Sequence, residues 1–479
     1  YCAACAARVK SPIVLGRVDR LPEGFQERKN GIYYRTEDKD GNPEWHWVCS
    51  PLKVLALTCN DDGLAWGRYV AVLTPKGVWN RWAMPKSLMG GSGDAYRAEL
   101  LDMGLDIAPG KGKQRLETLL SLWHPRSCAR CVSRIGWHGR RFILPDIVFG
   151  FEAGESVILQ AEHVDNPFKS MGTLAEWQEA IGRFCVGNSR LVLAVATALA
   201  APLLYLAGAE SGGLHLVGGS SLGKTTALDV AGSVCGGGGV RGYVLQWRAT
   251  ANGLEGVAAA HCDALLCLDE LSQVTPQAAG ETAYMLTNGT GKTRATKQGA
   301  ARKPAEWRVL FLSTGEITLA DKIREDGKSR AMAGQLVRVV DVDADAGAGL
   351  GLFEDLHGFP DGDAFSRHLK EAAKRTYGVP LRVFLEKLTA DYDEAMRVVP
   401  MLIQDFLAEH CPTGADGQVK RVCTRFALVA AGGESGVTYG VLPWPAGEAT
   451  RAAARCFRDW LALRGGTGAA EVQAGLAQV

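Results

Sequence analysis

Over 479 residues the sequence has almost no net charge: 53 Lys and Arg stand against 52 Asp and Glu, which leaves +1 with histidine neutral. That excludes recognition of nucleic acid by a global basic field, so any such binding has to come from a local patch. An even cysteine framework is also missing. The 13 cysteines are odd in number and scattered, which argues against a disulfide-stapled secreted scaffold and suits a reducing, cytoplasmic compartment. No secretory signal is visible, although the chain starts at Tyr1 and stops within "GLAQV", and so reads as part of a longer protein. There is no internal repeat and no long low-complexity tract. One run resembles a membrane span, "LVLAVATALAAPLLYLAGA" from Leu191 to Ala209. Its alanine content, Pro202 and direct lead into an apolar strand favour a buried helix instead.

What is present shows best in "LHLVGGSSLGKTTALDVAG", Leu214 to Gly232. Gly218, four residues, then Gly223, Lys224 and Thr225 match G-x-x-x-x-G-K-[ST] in full. Glycine lets the backbone of Gly218, Gly219, Ser220, Ser221, Leu222 and Gly223 curl until its N–H groups face phosphate oxygens. Lys224 would reach the β- and γ-phosphates of ATP and the Thr225 hydroxyl would hold Mg²⁺, with Thr226 closing the nucleotide-binding run. A buried strand before the loop and a helix after it, whose N-terminus favours anions, set the motif apart from a chance glycine turn.

Such a loop needs a metal-organising acid and a water-activating group on a neighbouring strand. "ALLCLDEL" supplies Asp269, to orient Mg²⁺, and Glu270, to polarise the attacking water. A third apolar strand, "WRVLFLSTGE", ends in Ser313 and Thr314; Thr314 is the favoured water-positioning residue and Ser313 the second, with a simple Ser-Thr turn as the alternative. Between the two strands, "TNGTGKTRATKQGAARKPAEW" carries Lys292, Arg294, Lys297, Arg302 and Lys303 with no acid before Glu306. That run reads as a basic hairpin for a nucleic-acid backbone; a solvated basic loop is the alternative.

The length exceeds one ordinary core, so several domains are expected. Residues 1–165 alternate short apolar and aromatic runs with turn residues such as "DKDGNP" and predict a β-rich N-terminal domain. Helical patterning over 166–211 leads into an α/β core at 212–345. A helical region at 346–440 follows the glycine-rich "AGAGLGLF", and 441–479 opens a further C-terminal unit. Cys2, Cys5, Cys128 and Cys131 have the count of a zinc site, but the two C-x-x-C pairs are far apart and core packing is favoured for Cys131. His138 in "GWHGRR" reads as a turn residue.

The order of phosphate loop, Asp-Glu strand, basic hairpin, polar-tipped strand and Arg-bearing strand resembles the AAA+ ATPases. Within them it is most similar to the minichromosome-maintenance branch of hexameric helicases and to the superfamily 3 helicases. The wording of "HLVGGSSLGKTTAL", "QWRATANGLEGVAAAHCDALLCLDEL", "LFLSTGE", "AGQLVRVVDVDA" and "GWHGRRFILPD" is closer still to the DUF927 family of phage and mobile-element proteins. The resemblance implies an α/β AAA+ P-loop NTPase core with a β-rich N-terminal domain, a helical C-terminal lid and a winged-helix unit beyond it. It implies Thr314 as first sensor, Arg338 as an arginine finger reaching a neighbour's nucleotide, with Arg330 the second candidate, and Arg421 as second sensor, with Arg425 behind it. Lys297 matches the tip of a hairpin that grips DNA in the pore of a ring. "NGLEGVAAAHCDALL" is too short for the second hairpin of minichromosome-maintenance proteins. The implied cofactors are ATP and Mg²⁺; the implied partners are single-stranded or forked DNA, further copies of the chain in a homohexamer, and a primase or single-strand-binding protein, with no membrane. The implied role is ATP-driven unwinding in replication of a mobile element or phage. A DNA-binding switch or loader that does not unwind, and a nucleotide-binding assembly module without turnover, are the alternatives; an intact Glu270 argues against the last.

Overall fold

The computed structural model describes residues 20–151, 156–160, 166–239, 242–248, 251–291, 294–295, 301–302, 304–325 and 337–467. They fall into two compact units. One takes in the chain as far as Arg134, with Asp146–Val148 and part of Glu152–His163; the other takes in Ile135–Pro145, Phe149–Phe151 and the chain from Val164.

The first strands along the chain are β1 (Phe25–Arg28), β2 (Gly31–Glu37), β3 (Pro43–Cys49), β4 (Leu52–Cys59), β5 (Gly67–Leu73), β6 (Trp79–Pro85), β7 (Cys128–Val132), β8 (Gly136–His138), β9 (Arg141–Leu144), β10 (Ile147–Phe149) and β11 (Ser156–Leu159). In the smaller unit β1, β2 and β3 form an antiparallel sheet, and a five-stranded mixed sheet runs in the order β11-β7-β4-β5-β6. The turn at "DKDGNP" is closed by Asp38, whose carboxylate accepts the N–H groups of Asp40 (2.9 Å) and Asn42 (2.8 Å). Period-two alternation sends Val54, Val70, Val72 and Met84 to one face, where Leu100, Leu116, Leu119 and Leu120 of the helices Asp94–Asp102 and Gly112–Leu122 cover them. Each such aliphatic side chain gains about 1.5–3 kcal/mol over an exposed position.

The larger unit adds β12 (Gly212–Val217), β13 (Leu245–Gln246), β14 (Ala264–Asp269), β15 (Arg294–Ala295), β16 (Ala301–Arg302), β17 (Val309–Gly315) and β18 (Val339–Asp343). Five of them make a parallel sheet in the order β13-β14-β17-β12-β18. Both faces are covered, which is why Ala264–Leu268 and Val309–Leu312 are unbroken buried runs. Because the strands are parallel, the residues that end β12, β14 and β17 all emerge at one edge. The apolar run from Leu191 is the wholly buried helix Ser189–Ala200, which turns at Pro202 into the short helix Leu203–Leu206. No helix among the described residues is long and apolar enough to cross a membrane. The helices Gly362–Arg375, Val379–Ala390, Tyr392–His410, Gly417–Thr438 and Glu448–Arg464 complete the unit.

The β8–β9 hairpin is tied to the parallel sheet by one carboxylate. Asp263, fully buried just before β14, accepts Arg308 Nε at 2.6 Å and Nη2 at 2.8 Å, and the Trp137 N–H at 2.9 Å. Gly136, at φ +93°, has to be glycine because a Cβ would strike this carboxylate. Trp137 is buried as well and donates its indole N–H to the Pro202 carbonyl at 2.8 Å. Asp263→Ala leaves the guanidinium without its counter-charge and is expected to destabilise the unit by about 3 kcal/mol. Urea unfolding reads this, and a loss under about 1 kcal/mol would show that the pair behaves like an exposed one.

Candidate functional site

The loop after β12 is shaped by its glycines. Gly218 sits at φ +157°, where a Cβ would meet Leu222 Cδ1 at 2.7 Å, and Gly223 at φ +96° starts the helix Lys224–Cys235. Lys224 turns back over the loop, and its ammonium donates to the carbonyls of Gly218 (2.7 Å) and Gly219 (2.5 Å). The loop therefore frames a concavity with a cation at its rim and a helix N-terminus at its base, the features of an anion site.

β17 lies between β12 and β14, and its tip touches the acidic strand. Thr314 Oγ1 donates to Asp269 Oδ1 at 2.5 Å and accepts the Glu270 N–H at 3.3 Å. Glu270 follows at φ +65°, with Oε1 held by the Ser272 hydroxyl at 2.8 Å. Ser313, one residue earlier, points to the other side of the sheet. There it accepts the Trp247 indole N–H at 2.7 Å and lies 2.9 Å from His215 Nδ1. His215 Nε2 faces the Ile317 carbonyl at 3.1 Å, which only an N–H can satisfy, so Nδ1 is the acceptor for the Ser313 hydroxyl. Burial pushes the pKa of His215 down to about 4, and the ring is neutral. Ser313 thus belongs to the core and Thr314 to the cavity.

A cavity of about 540 Å³ joins Lys224, Thr225, Asp269, Glu270 and Thr314. Two further features of its wall are hard to see in sequence. The glycine-rich segment after β18 docks on the loop, with the Leu352 N–H donating to the Leu222 carbonyl at 2.8 Å, and it brings Leu350 and Phe353 to the cavity as an apolar wall. The helix Gly362–Arg375 is pinned to the loop helix by the hydroxyls of Ser366 and Thr226, 2.5 Å apart, and one turn later it supplies Lys370. Lys370 is half-buried and makes no hydrogen bond or close ion pair among the described residues. Its charge is felt by Asp229, whose carboxyl is pushed up to about 6 by burial, with Lys370 opposing and Asp269 adding to the rise.

The expected arginines gather elsewhere. Arg338 precedes β18, where its carbonyl accepts the Gly213 N–H at 2.9 Å, and its Nη1 donates to Asn288 Oδ1 at 2.8 Å. Arg425 donates to the carbonyls of Glu210 (3.1 Å) and Ser211 (3.2 Å); burial pulls its pKa down to about 10, helped by the charge of Arg338. Arg338, Arg421 and Arg425 line one cavity of about 310 Å³ with Glu210. That cavity is at the start of β12 and the glycine loop is at its end, about 20 Å along the strand.

Residues 25–306 match a family described as "Domain of unknown function (DUF927)". The chain belongs to the DUF927 family. The match takes in the smaller unit's sheets, the glycine loop and Asp269–Glu270, and ends before β17. No curated protein sequence matches the chain. Among solved structures, one similar to this DUF927 protein is "SCCmec type IV Cch - active helicase", with a TM-score of 0.68 and 19% identity over 91% of this chain and 76% of that one. At that identity the likeness shows a shared fold, with mixed α/β sheets and a helical C-terminal region.

In this DUF927 chain the basic run folds back as a two-stranded antiparallel ladder, β15 against β16, pairing Arg294 with Arg302. Lys292, Lys297, Lys303 and Arg330 lie outside the described residues, as do Cys2 and Cys5. Cys128 and Cys131 stand three apart on β7, so their side chains leave the strand on opposite faces and cannot pinch one ion together. Among the described residues no cluster of three or more His, Cys, Asp or Glu is placed to hold a metal. His138 ends β8 opposite Arg141, beside the hairpin turn.

Proposed function

We propose that this chain is an ATP-dependent, ring-forming DNA helicase or translocase on an AAA+ core, acting in the replication of a mobile genetic element or phage. The observation that carries the reading is the convergence of Lys224, Thr225, Asp269, Glu270 and Thr314 on one cavity from the ends of three parallel strands. The donor set suits the implied group. A curled glycine backbone that a Cβ would fill, with an ammonium already holding two oxygens, fits phosphates. A hydroxyl and a carboxylate are hard oxygen donors of the kind Mg²⁺ takes.

ATP would supply the phosphoryl group, and bound Mg²⁺ would supply positive charge to stabilise its transfer. Lys224 would bind phosphate oxygens in place of the Gly218 and Gly219 carbonyls, and Thr225 and Asp269 would hold the metal. Thr314 fixes the rotamer of Asp269 and, through the Glu270 N–H, the backbone that aims Glu270. Glu270 orients a water and accepts its proton. Arg338 and Arg421 lie far from their own glycine loop, which suits Arg338 as a finger and Arg421 as a second sensor for the nucleotide of a neighbouring copy in a ring, read here as a homohexamer. The basic ladder with Lys292, Arg294, Lys297, Arg302 and Lys303 follows the DNA backbone; a primase or single-strand-binding protein works beside it in the cytoplasm. The similar fold is that of a protein described as an active helicase, which supports the same reading.

Phosphate release with and without DNA, strand displacement on a forked duplex, and mass with an ATP analogue and DNA present test this together. Absence of hydrolysis ends the enzyme reading. Hydrolysis without displacement leaves a switch or loader ATPase.

Lys370 adds a cation to the site that motif spacing does not announce. A half-buried ammonium facing the cavity is expected to meet a phosphate oxygen, so Lys370→Met should weaken ATP binding roughly tenfold, the worth of one charged hydrogen bond. Fluorescent-nucleotide titration checks this; unchanged affinity would remove Lys370 from the phosphate contacts.

A further inference from the structure

A solvated face of an antiparallel sheet ordinarily carries polar residues. The outer face of the β1–β3 sheet interleaves them with aromatic rings. Phe25, Ile32, Tyr34 and Val48 turn to the core of the smaller unit. The opposite face carries Gln26, Arg28, Tyr33, Arg35, Glu37, Trp45 and Trp47, with Tyr33 in register with Trp47 and Arg35 with Trp45. The Arg28 guanidinium lies 4.4 Å from the centre of the Tyr33 ring and 5.1 Å from that of Trp45. Gly31 lets the Trp47 indole close over the β1–β2 turn: a Cβ there would meet Nε1 at 2.9 Å, and Nε1 reaches the Asn30 carbonyl at 3.3 Å. Arg28 and Arg35 are exposed, and the nearest carboxylate to Arg35, Glu37, holds it only loosely at 3.9 Å.

None of these rings serves the core beneath, which the other face builds. Successive pairs along β3 are about 7 Å apart, so Trp47 and Trp45 offer two consecutive ring surfaces with guanidinium groups among them. Aromatic platforms interleaved with arginine are the chemistry that holds unpaired bases, because every base has a π-face and every linkage a negative charge. A duplex keeps its bases stacked on one another and has no use for such rings. We infer that this face binds single-stranded DNA, with bases stacking on Tyr33, Trp45 and Trp47 and phosphates meeting Arg28 and Arg35. The choice of DNA rests on the helicase reading; the stacking chemistry does not.

The test uses the full chain with fluorescein-labelled oligo(dT) and oligo(rU) and no nucleotide. Tyr33→Ala with Trp45→Ala is expected to weaken oligo(dT) binding roughly tenfold and to leave basal ATP hydrolysis unchanged, whereas Trp45→Phe, which keeps a ring, stays within about threefold of the unaltered chain. Arg35→Ala should flatten the slope of log affinity against log salt by about 0.7. Unchanged oligo(dT) affinity in the alanine variants overturns the proposal and leaves the face to a protein partner. Tighter binding of oligo(rU) overturns the choice of DNA. If the double variant fails to fold, Arg35→Ala decides: a flattened slope sustains the proposal, and an unaltered slope with unaltered affinity overturns it. A chain that binds oligo(dT) through this face but hydrolyses no ATP would keep this inference and end the helicase reading.

Discussion

Glu270→Gln is expected to leave ATP bound and to stop its turnover. The side chain keeps its length and its oxygen, so the 2.8 Å hydrogen bond from Ser272 can persist. The backbone at φ +65° is equally strained for Glu and Gln, so the substitution adds no new conformational cost. What disappears is the ability to take a proton from water, a contribution of about 10²–10⁴ in rate. Turnover should fall by at least about a hundredfold while affinity for ATP changes little. Nucleotide titration beside steady-state phosphate release measures both in one preparation. Parallel loss of binding and hydrolysis would mean that Glu270 shapes the cavity instead of activating water. Lys370→Met is the useful contrast, since its effect falls on binding.

The glycine loop and the Asp-Glu strand were legible from sequence because their chemistry is local. Gly218, Gly223, Lys224 and Thr225 are spaced by the geometry of a single turn, and Asp269 and Glu270 end an apolar run that can only be a buried strand. Choosing between Ser313 and Thr314 is a different kind of problem. They are adjacent on β17, a one-residue change of register exchanges their faces, and the burial of Ser313 depends on His215 and Trp247 from distant parts of the chain. Lys370 was invisible for a similar reason: it reaches the cavity only because Ser366 meets Thr226 across a helix pair. The β8–β9 hairpin reads as a continuation of the β-rich region, whereas the buried contact of Asp263 with Trp137 attaches it to the parallel sheet, with Arg308 holding Asp263 in place. Arg338 and Arg421 are far apart in sequence and share a cavity because the helix Gly417–Thr438 lines it beside the residues that precede β18.

Arg338→Ala is expected to keep ATP binding and remove hydrolysis, by roughly 10³-fold, because a finger from a neighbour acts on charge that develops during transfer. The geometry gives the reason for expecting action between subunits. Arg338 stands just before Val339, which pairs with Gly213, whereas the far end of β18 pairs Asp343 with Val217 beside the glycine loop. The length of the strand, about 15–20 Å, separates the guanidinium from its own site, more than an arginine side chain can span. Its present partner, the Asn288 side chain at 2.8 Å, is neutral, so leaving it for a phosphate breaks no ion pair. Mixing supplies the decisive measurement. A ring of Arg338→Ala subunits has intact Glu270 and no finger, and a ring of Glu270→Gln subunits has intact fingers and no base. Mixed rings contain some interfaces with both, so the mixture should hydrolyse ATP faster than either variant alone. Recovery of that kind requires the two residues to act across an interface. If the mixture is as inactive as its components while each still assembles, Arg338 does not reach the neighbour's nucleotide. If Arg338→Ala alone retains full activity, the finger has to be sought at Arg330.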